Sequence, residues 1–281
     1  MPIDDTVLVD DDKLPSPEVG PWAEAKHNVV SYYARLFSTG MKKKWDQRVY
    51  IELYAGAGYS KIRDKSKIIM GSPLRALSLP DPFDKYIFCE EDPELIKALE
   101  VRAMRIAPEA DIVCVPGDCN ERTPEILKAI PVGSKENRVL SLCFVDPCDI
   151  GIKFKTIRTL SSRIVDFLVL LALGMDANRA YQHYVKPNST KVAELLDSPT
   201  WRTDWTKAQS VGVPFPRFLA EAFSRSMEAE NHIHQPIYKM KEVFSDKNWP
   251  LYRLALFSRH ERAYRFWDDV LKYTDEPTLW D

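Results

Sequence analysis

The feature that most constrains this chain is a regular alternation of short apolar runs with segments of helical periodicity. Between residues 48 and 172 the runs predicted as strands are RVYIEL (48–53), KYIFCE (85–90), DIVCVP (111–116), VLSLCFVD (139–146) and IVDFLVLLA (164–172). The segments between them predict helices at 72–79, capped by Ser72, at 93–106, from Thr123 onward and near 154–162. Such alternation predicts a parallel, doubly wound sheet with helices on both faces.

The C-terminal part of the sequence breaks this alternation. After a predicted helix near 214–230, the apolar segments 236–244 and 250–258 are separated by a short polar loop, which predicts an antiparallel pair. We therefore predict an α/β fold: a doubly wound, mostly parallel, Rossmann-like sheet with a terminal antiparallel strand, plus helical insertions. A mostly parallel sheet with one antiparallel strand is typical of class I methyltransferases.

The domain organisation follows from the composition at the N-terminus and from the length of the insertions. Residues 1–20 combine prolines with five aspartates and are predicted to form a disordered acidic tail. Residues 21–281 are predicted to form a single domain with an inserted helical lobe at about 176–211. The aromatic side chains of this lobe either stack on bases or pack within the lobe, and we favour packing; they are Tyr181, Tyr184, Trp201 and Trp205.

Charge and cysteine content restrict the class of protein. The net charge is −2, so a nucleic-acid partner needs a local basic patch rather than an overall positive charge. The five cysteines form no C-x-x-C pair, which predicts reduced thiols, a cytoplasmic protein and no metal site. Between Gly58 and Gly71 the loop YSKIRDKSKIIM is basic and lies next to the predicted site, where it either binds phosphates or is simply solvated.

Polar residues and glycines follow each of the first four predicted strands. Because the carboxyl ends of parallel strands share one edge of the sheet, these residues should surround one ligand site. They are Glu52, Tyr54, Ala55, Gly56 and Gly58 after the first strand, Glu90 after the second, Asp118 and Cys119 after the third, and Asp146, Pro147 and Cys148 after the fourth.

Together these residues predict a site for S-adenosylmethionine. Gly56 and Gly58 allow the backbone to approach the methionine end of the cofactor, beside Glu52, Tyr54 and Ala55. Glu90 can accept both ribose hydroxyls, because a carboxylate is an acceptor with two oxygens. Asp118 and Cys119 would lie on either side of the adenine, and Asp146 would contact both the cofactor and the methyl acceptor. A dinucleotide fingerprint would require a third glycine at the position of Lys61.

The motifs YIELYAGAGYS, GSPLRAL, YIFCEEDPE, GDCNE and FVDPCDIG resemble those of the three-Cys-motif partner proteins. The resemblance covers nearly the whole chain after residue 20. It implies a methyltransferase-like Rossmann fold, a similar pocket and a protein partner carrying a three-cysteine motif of the kind that holds an iron–sulfur cluster. It implies no particular substrate.

The segment Asp146–Pro147–Cys148 carries the predicted chemistry and leaves alternatives open. Cys148 stands where this family is expected to have an aromatic residue, and it is either a nucleophile like that of pyrimidine C5-methyltransferases or a small turn residue, which we favour. N-methylation of an amine through an Asp-Pro-Pro-aromatic motif is half supported, because the second proline and the aromatic are missing.

The first predicted helix, from Trp22, includes Lys26 in its apolar stripe, although Lys26–His27 is most simply interpreted as a polar helix surface. The sequence thus predicts an S-adenosylmethionine-dependent methyltransferase acting on a nucleic acid or nucleotide with a partner protein. The alternative is a non-catalytic partner of a radical enzyme or a nucleic-acid-modifying system.

Overall fold

The strands and helices follow the predicted alternation. The structure, a computed structural model, describes residues 7–63, 65, 67–177, 180–245 and 249–275. The strands are β1 (Leu8–Val9), β2 (Glu18–Val19), β3 (Gln47–Glu52), β4 (Tyr59–Ile62), β5 (Ile68–Met70), β6 (Lys85–Glu90), β7 (Ile112–Pro116), β8 (Val139–Val145), β9 (Val165–Leu171), β10 (Lys241–Phe244) and β11 (Pro250–Phe257).

The helices alternate with these strands along the chain. They are α1 (Ala23–Met41), α2 (Ser72–Leu77), α3 (Pro93–Ile106), α4 (Thr123–Ala129), α5 (Phe154–Leu160), α6 (Tyr181–Tyr184), α7 (Lys191–Leu196), α8 (Trp201–Ser210), α9 (Phe215–Ala229) and α10 (Glu261–Asp275). A π-helical turn spans Leu173–Ala177, and a 3-10 turn spans Ile237–Lys239. The 3-10 turn occupies most of the first half of the predicted strand 236–244, so β10 is shorter than expected.

The central sheet has seven strands in the order β10-β11-β9-β8-β3-β6-β7. The neighbouring pairs from β9 to β7 are parallel, whereas β11 is antiparallel to both β9 and β10. The antiparallel strand is therefore inserted second from one edge, and the C-terminal hairpin is present. The predicted fold class, a doubly wound sheet of the class I methyltransferase type with helical insertions, is confirmed.

Side chains on the two faces of the sheet belong to two separate apolar cores. On β8, for example, Val139, Cys143 and Val145 face one core, while Leu140, Leu142 and Phe144 face the other. Helices α1, α2, α3 and α10 contribute to the second core, and α4, α5, α7, α8 and α9 contribute to the first. All seven residues of β8 are buried, as expected for a strand covered on both faces.

A second, smaller sheet is formed by two strands before α1 and two strands between β3 and α2. Its four strands have the order β1-β5-β4-β2, and we call it the N-terminal sheet. The basic loop of the sequence forms the β4–β5 hairpin of this sheet. Residues 7–20, expected to belong to a disordered tail, are instead folded against the domain, and residues 1–6 of that prediction lie outside the described residues.

The physical reason for this correction is one buried cation. Arg102 on α3 is 1% exposed and binds both carboxylate oxygens of Asp12. It also donates to the carbonyl oxygens of Leu14 and Pro15. Asp12, one of the aspartates whose number suggested disorder, is therefore the counter-ion of a buried arginine that lies far away in the sequence.

Helices α6 to α8 form the inserted lobe between β9 and α9. Trp201 and Trp205 of α8 are 1% and 7% exposed and pack on Phe215. These rings are thus part of an apolar core, which agrees with the packing interpretation rather than with base stacking.

Within the described part of the chain, no helix combines the length and the apolar character needed to cross a membrane.

Candidate functional site

One cavity opens at the carboxyl ends of the parallel strands. Its volume is about 650 Å³. The structure places every residue of the predicted site around it: Glu52, Tyr54, Ala55, Gly56, Gly58, Glu90, Asp118, Cys119, Asp146, Pro147 and Cys148. The roles assigned to them remain predictions, but their convergence follows from the strand order, because β6, β3 and β8 are adjacent in the sheet.

The glycine turn after β3 has two glycines with different functions. Gly56 has a φ of +62°, and a side chain added there would meet no atom within 4 Å. Gly58 has a φ of +81°, and its added Cβ would lie 2.7 Å from Leu74 Cδ1 and 2.9 Å from Leu99 Cδ1. Gly56 therefore leaves open space for a ligand, whereas Gly58 allows α2 and α3 to pack closely against the turn.

Glu90 is held beside this turn by backbone groups. Its Oε2 accepts a hydrogen bond of 2.8 Å from the amide of Gly56, and its Oε1 accepts one of 3.0 Å from the amide of Asp92. A carboxylate oxygen has more than one acceptor site, so both oxygens can still accept from ligand hydroxyls. The carboxylate is thus oriented before any ligand binds.

Glu52 lies at the base of the cavity and is 1% exposed. Its Oε1 accepts from the Ser72 hydroxyl at 2.6 Å, and its Oε2 accepts from the Tyr50 hydroxyl at 3.0 Å. Burial, reinforced by the nearby Asp146 carboxylate, raises the pKa of Glu52 to about 8, against the lowering effect of these hydrogen bonds and of Lys26. Glu52 is therefore mainly neutral at pH 7.

The prediction that Ser72 caps α2 is wrong, because Gly71 is the N-cap and Ser72 is the first helical residue. The Ser72 side chain instead contacts Glu52. Sequence spacing could not show this contact, since a serine before Pro73 is equally typical of a cap.

Asp118 and Cys119 lie in the turn after β7. The Asp118 Oδ1 accepts from both the amide and the side chain of Asn120, at 2.9 and 3.0 Å. Asn120 in turn accepts from the amide of Lys153, which connects this turn to the loop after β8. Burial raises the pKa of the Cys119 thiol to about 12, although a hydrogen bond with Tyr54 opposes that rise. Cys119 therefore presents a neutral thiol to the cavity.

Asp146 at the end of β8 forms an ion pair that the sequence analysis missed. Lys26 Nζ of α1 lies 2.5 Å from Asp146 Oδ2, and the two side chains are 15% and 14% exposed. The interpretation of Lys26–His27 as a polar helix surface is wrong: Lys26 lines the cavity, and His27 is 5% exposed. Burial lowers the pKa of His27 well below its usual value, so its ring is neutral. The signal in the sequence that could have predicted this ion pair was a lysine within the apolar stripe of α1.

Cys148 lies at the rim of the cavity and is an exposed residue. Partial burial of its thiol and the Asp146 carboxylate both raise its pKa. A nucleophilic cysteine needs a stabilised thiolate, which such an environment disfavours. This environment is less suited to a nucleophile than to a turn residue, and the role of Cys148 stays a prediction. The five cysteines are free thiols, and no group of three or more potential ligands in the described ranges could hold a metal ion.

The cavity is strongly acidic. Among the described residues that line it are seven carboxylate side chains but only two lysine or arginine side chains, Lys26 and Arg63. The carboxylates belong to Glu18, Glu52, Glu90, Glu91, Asp118, Asp146 and Asp149. Such a lining favours a ligand with net positive charge and disfavours a polyanion.

Comparison with known proteins gives distant structural similarities. No family model and no curated protein matches the chain. An O-methyltransferase from Bacillus cereus, in complex with SAH, is 10% identical, with a TM-score of 0.47 over 88% of this chain and 85% of that one. The O-methyltransferase TomG from Streptomyces achromogenes, in complex with SAM, is 11% identical, with a TM-score of 0.46 over 90% and 92%.

The Legionella pneumophila protein LPL1258 is similar at the same level, with 12% identity and a TM-score of 0.48 over 89% of this chain and 92% of that one. Because these similarities are distant, the fold class rests on the strand order described above. The resemblance to the three-Cys-motif partner proteins stays a prediction.

Proposed function

We propose that the protein is an S-adenosylmethionine-dependent methyltransferase and that the cavity binds this cofactor. The observation that carries the proposal is the acidic cavity around the open Gly56 turn, in a sheet with the strand order of a class I methyltransferase. S-adenosylmethionine has a net positive charge because of its sulfonium, and carboxylates around it are electrostatically favourable. The same carboxylates would repel the pyrophosphate of a dinucleotide.

The contacts of the cofactor are proposed from the geometry of the cavity. Glu90, oriented by the Gly56 amide, would accept from the ribose hydroxyls. Asp118 and Cys119 would lie beside the adenine, and the glycine turn with Glu52 would lie beside the methionine end. In this arrangement the neutral Glu52 adds no negative charge next to the cofactor's own carboxylate.

Asp146 would act at the methyl acceptor. In the proposed reaction the acceptor nitrogen or oxygen bonds to the methyl carbon as the bond from that carbon to the sulfonium sulfur breaks, leaving S-adenosylhomocysteine. The protein contributes mainly by aligning acceptor and sulfonium. Where the acceptor must lose a proton, the Asp146 carboxylate would accept it and pass it to solvent.

We propose a nucleotide or nucleic acid as the acceptor. The support is the β4–β5 hairpin at the cavity, where Lys61, Arg63 and Lys65 are exposed and Arg63 lines the mouth. Exposed cations of this kind can bind phosphates outside an acidic cavity. A partner carrying a three-cysteine motif is a further proposal, which rests on the sequence resemblance alone.

The test is calorimetric titration of the wild type with S-adenosylmethionine and S-adenosylhomocysteine, repeated on Glu90→Ala. Loss of hydrogen bonds to a charged group should weaken binding by about 10- to 100-fold. Glu91→Ala is the matched control, because Glu91 lines the cavity but is exposed; its affinity should stay within about threefold. Failure of the wild type to bind either ligand would overturn the proposal.

The second candidate is a non-catalytic partner that retains the pocket. The observation in its favour is that Lys26 already pairs with Asp146 where an acceptor would bind. Incubation with methyl-labelled S-adenosylmethionine separates the two candidates. Labelled RNA, DNA or nucleotide products support the enzyme, whereas cofactor binding with no labelled product from any of these supports the non-catalytic partner.

A further inference from the structure

The acidic cavity raises a question about the cofactor's own negative group. S-adenosylmethionine carries a carboxylate on its methionine moiety, and this group must enter a cavity lined by seven acidic side chains, of which Glu52 is mainly neutral. A carboxylate that leaves water without a cationic or hydrogen-bonding partner is strongly destabilised. The methionine end therefore needs a cation or hydrogen-bond donors inside the cavity.

Lys26 is the side chain placed to supply this cation. Its ammonium lies next to Asp146 at 2.5 Å, and its charge is close enough to Glu52 to lower the pKa of that residue. Glu52 ends β3 and Asp146 directly follows the adjacent strand β8, so Lys26 lies on the side of the cavity that is predicted to hold the methionine moiety. A lysine ammonium has three donors, and among the described hydrogen bonds Lys26 uses one of them, to Asp146.

The other candidates in the lining fit less well. Arg63 is exposed in the β4–β5 hairpin at the rim, where water screens its charge. His27 is buried and neutral, because burial lowers its pKa well below the usual value. Among the described lysine and arginine side chains that line the cavity, Lys26 is only 15% exposed, whereas Arg63 lies at the surface.

We propose that Lys26 Nζ binds the carboxylate of the cofactor's methionine moiety while it keeps its ion pair with Asp146. The inference rests on the proposed function, because it assumes that the cavity binds S-adenosylmethionine. It adds a specific coupling: the same ammonium would contact the cofactor and the acid that faces the methyl acceptor. Bound cofactor would then fix the position of Asp146 through Lys26.

The test compares two ligands that differ in this carboxylate, S-adenosylmethionine and its decarboxylated form. Electrostatic attraction alone would favour the decarboxylated ligand, which has the higher positive charge. We expect the opposite for the wild type, with S-adenosylmethionine bound about tenfold or more tightly. Tighter binding of the decarboxylated ligand by the wild type would overturn the proposal without any mutation.

The variant Lys26→Met sharpens the test. It should bind S-adenosylmethionine about 10- to 100-fold more weakly than the wild type. It should bind the decarboxylated ligand equally well or better, because the cavity has lost a positive charge. Lys43→Met is the matched control, because Lys43 is exposed and is not among the residues that line the cavity, and we expect it to change neither affinity by more than about twofold.

The remaining outcomes are also decisive. An equal decrease in the affinity of Lys26→Met for both ligands, with an unchanged melting temperature, would show a structural role and overturn the proposal. Unchanged affinity of this variant for S-adenosylmethionine would also overturn it. If Lys26→Met does not fold, Lys26→Arg takes its place and should retain the preference for the ligand with the carboxylate. If the wild type binds neither ligand, the proposed function itself fails. Binding of S-adenosylmethionine that Glu90→Ala weakens and Lys26→Met leaves unchanged would overturn this inference alone.

Discussion

Two additions extend the central sheet and its helices, and they contribute to the molecule in different ways. The N-terminal sheet, with the segment that leads into α1, supplies one wall of the cavity through Pro17, Glu18, Val19 and Gly20. The helical lobe of α6 to α8 supplies none of the described residues that line it. The first addition is held by polar contacts and the second by aromatic packing. An addition to this fold can therefore complete the site or stabilise the core behind it.

The contacts of each addition show why they differ. Arg102 joins the N-terminal segment to the glycine turn, because it binds Asp12 and also donates to the Ala57 carbonyl at 2.7 Å. Its guanidinium also lies 4.2 Å from the ring centre of Tyr59 on β4. In the lobe, by contrast, Trp205 packs on Phe215 with ring centres 5.0 Å apart. The contacts of Arg102 reach the glycine turn at the cavity, whereas the ring contacts of Trp205 stay within the apolar core.

The largest expected effect is on stability, from Trp201→Ala in the lobe. Trp201 is 1% exposed, and removal of a buried tryptophan should lower the free energy of unfolding by about 3–5 kcal/mol. Urea denaturation measures this change. At a temperature where the variant is folded, its affinity for S-adenosylmethionine should equal that of the wild type. The control is Val211→Ala at the end of the same lobe, where the side chain is 77% exposed. A folded Trp201→Ala that fails to bind would remove the distinction between the two additions.

The next effect concerns both stability and binding, from Arg102→Leu. A broken buried ion pair costs about 3–5 kcal/mol, and because Asp12 is 18% exposed we expect a smaller loss, about 2–3 kcal/mol. Affinity for S-adenosylmethionine should fall by roughly three- to tenfold, since the variant lacks the guanidinium that binds the N-terminal segment at the cavity wall and donates to the Ala57 carbonyl. Hydrogen exchange of residues 7–20 should accelerate in the same variant.

Arg105→Leu is the matched control for this prediction. Arg105 binds the same Asp12 carboxylate at 3.1 Å, but its side chain is 58% exposed. An exposed pair contributes little, so stability should change by less than about 1 kcal/mol and affinity should stay unchanged. Equal effects of the two variants would mean that the N-terminal segment is held by its net charge rather than by the buried guanidinium.

The sequence was informative where local patterns determine the structure. The strand 85–90 and the helix 93–106 were predicted at the bounds that the structure shows, because a short apolar run and a segment of helical periodicity are local patterns. All predicted site residues line one cavity, because strand ends in a doubly wound sheet share an edge.

The parts that sequence reasoning did not predict depend on partners far apart in the chain. Asp12 finds Arg102 and Lys26 finds Asp146, and in both cases a charged residue was interpreted as solvated. Composition reports the charge of a segment but not its counter-ion. A lysine in an apolar stripe or an arginine on a buried helix face is the signal to look for such a counter-ion.

The smallest expected effect tests whether the lobe influences the site through its surface. Lys191 at the start of α7 lies 2.6 Å from Asp149, which lines the cavity, and the two side chains are 45% and 42% exposed. Lys191→Met removes this connection from the lobe side. Because exposed pairs of this kind contribute little, the free energy of unfolding should change by less than about 0.5 kcal/mol, and affinity for S-adenosylmethionine by less than about twofold. Calorimetry and urea denaturation measure the two quantities. A larger loss of affinity would show that the lobe positions the loop after β8, in which case its aromatic core would support the site as well as the fold.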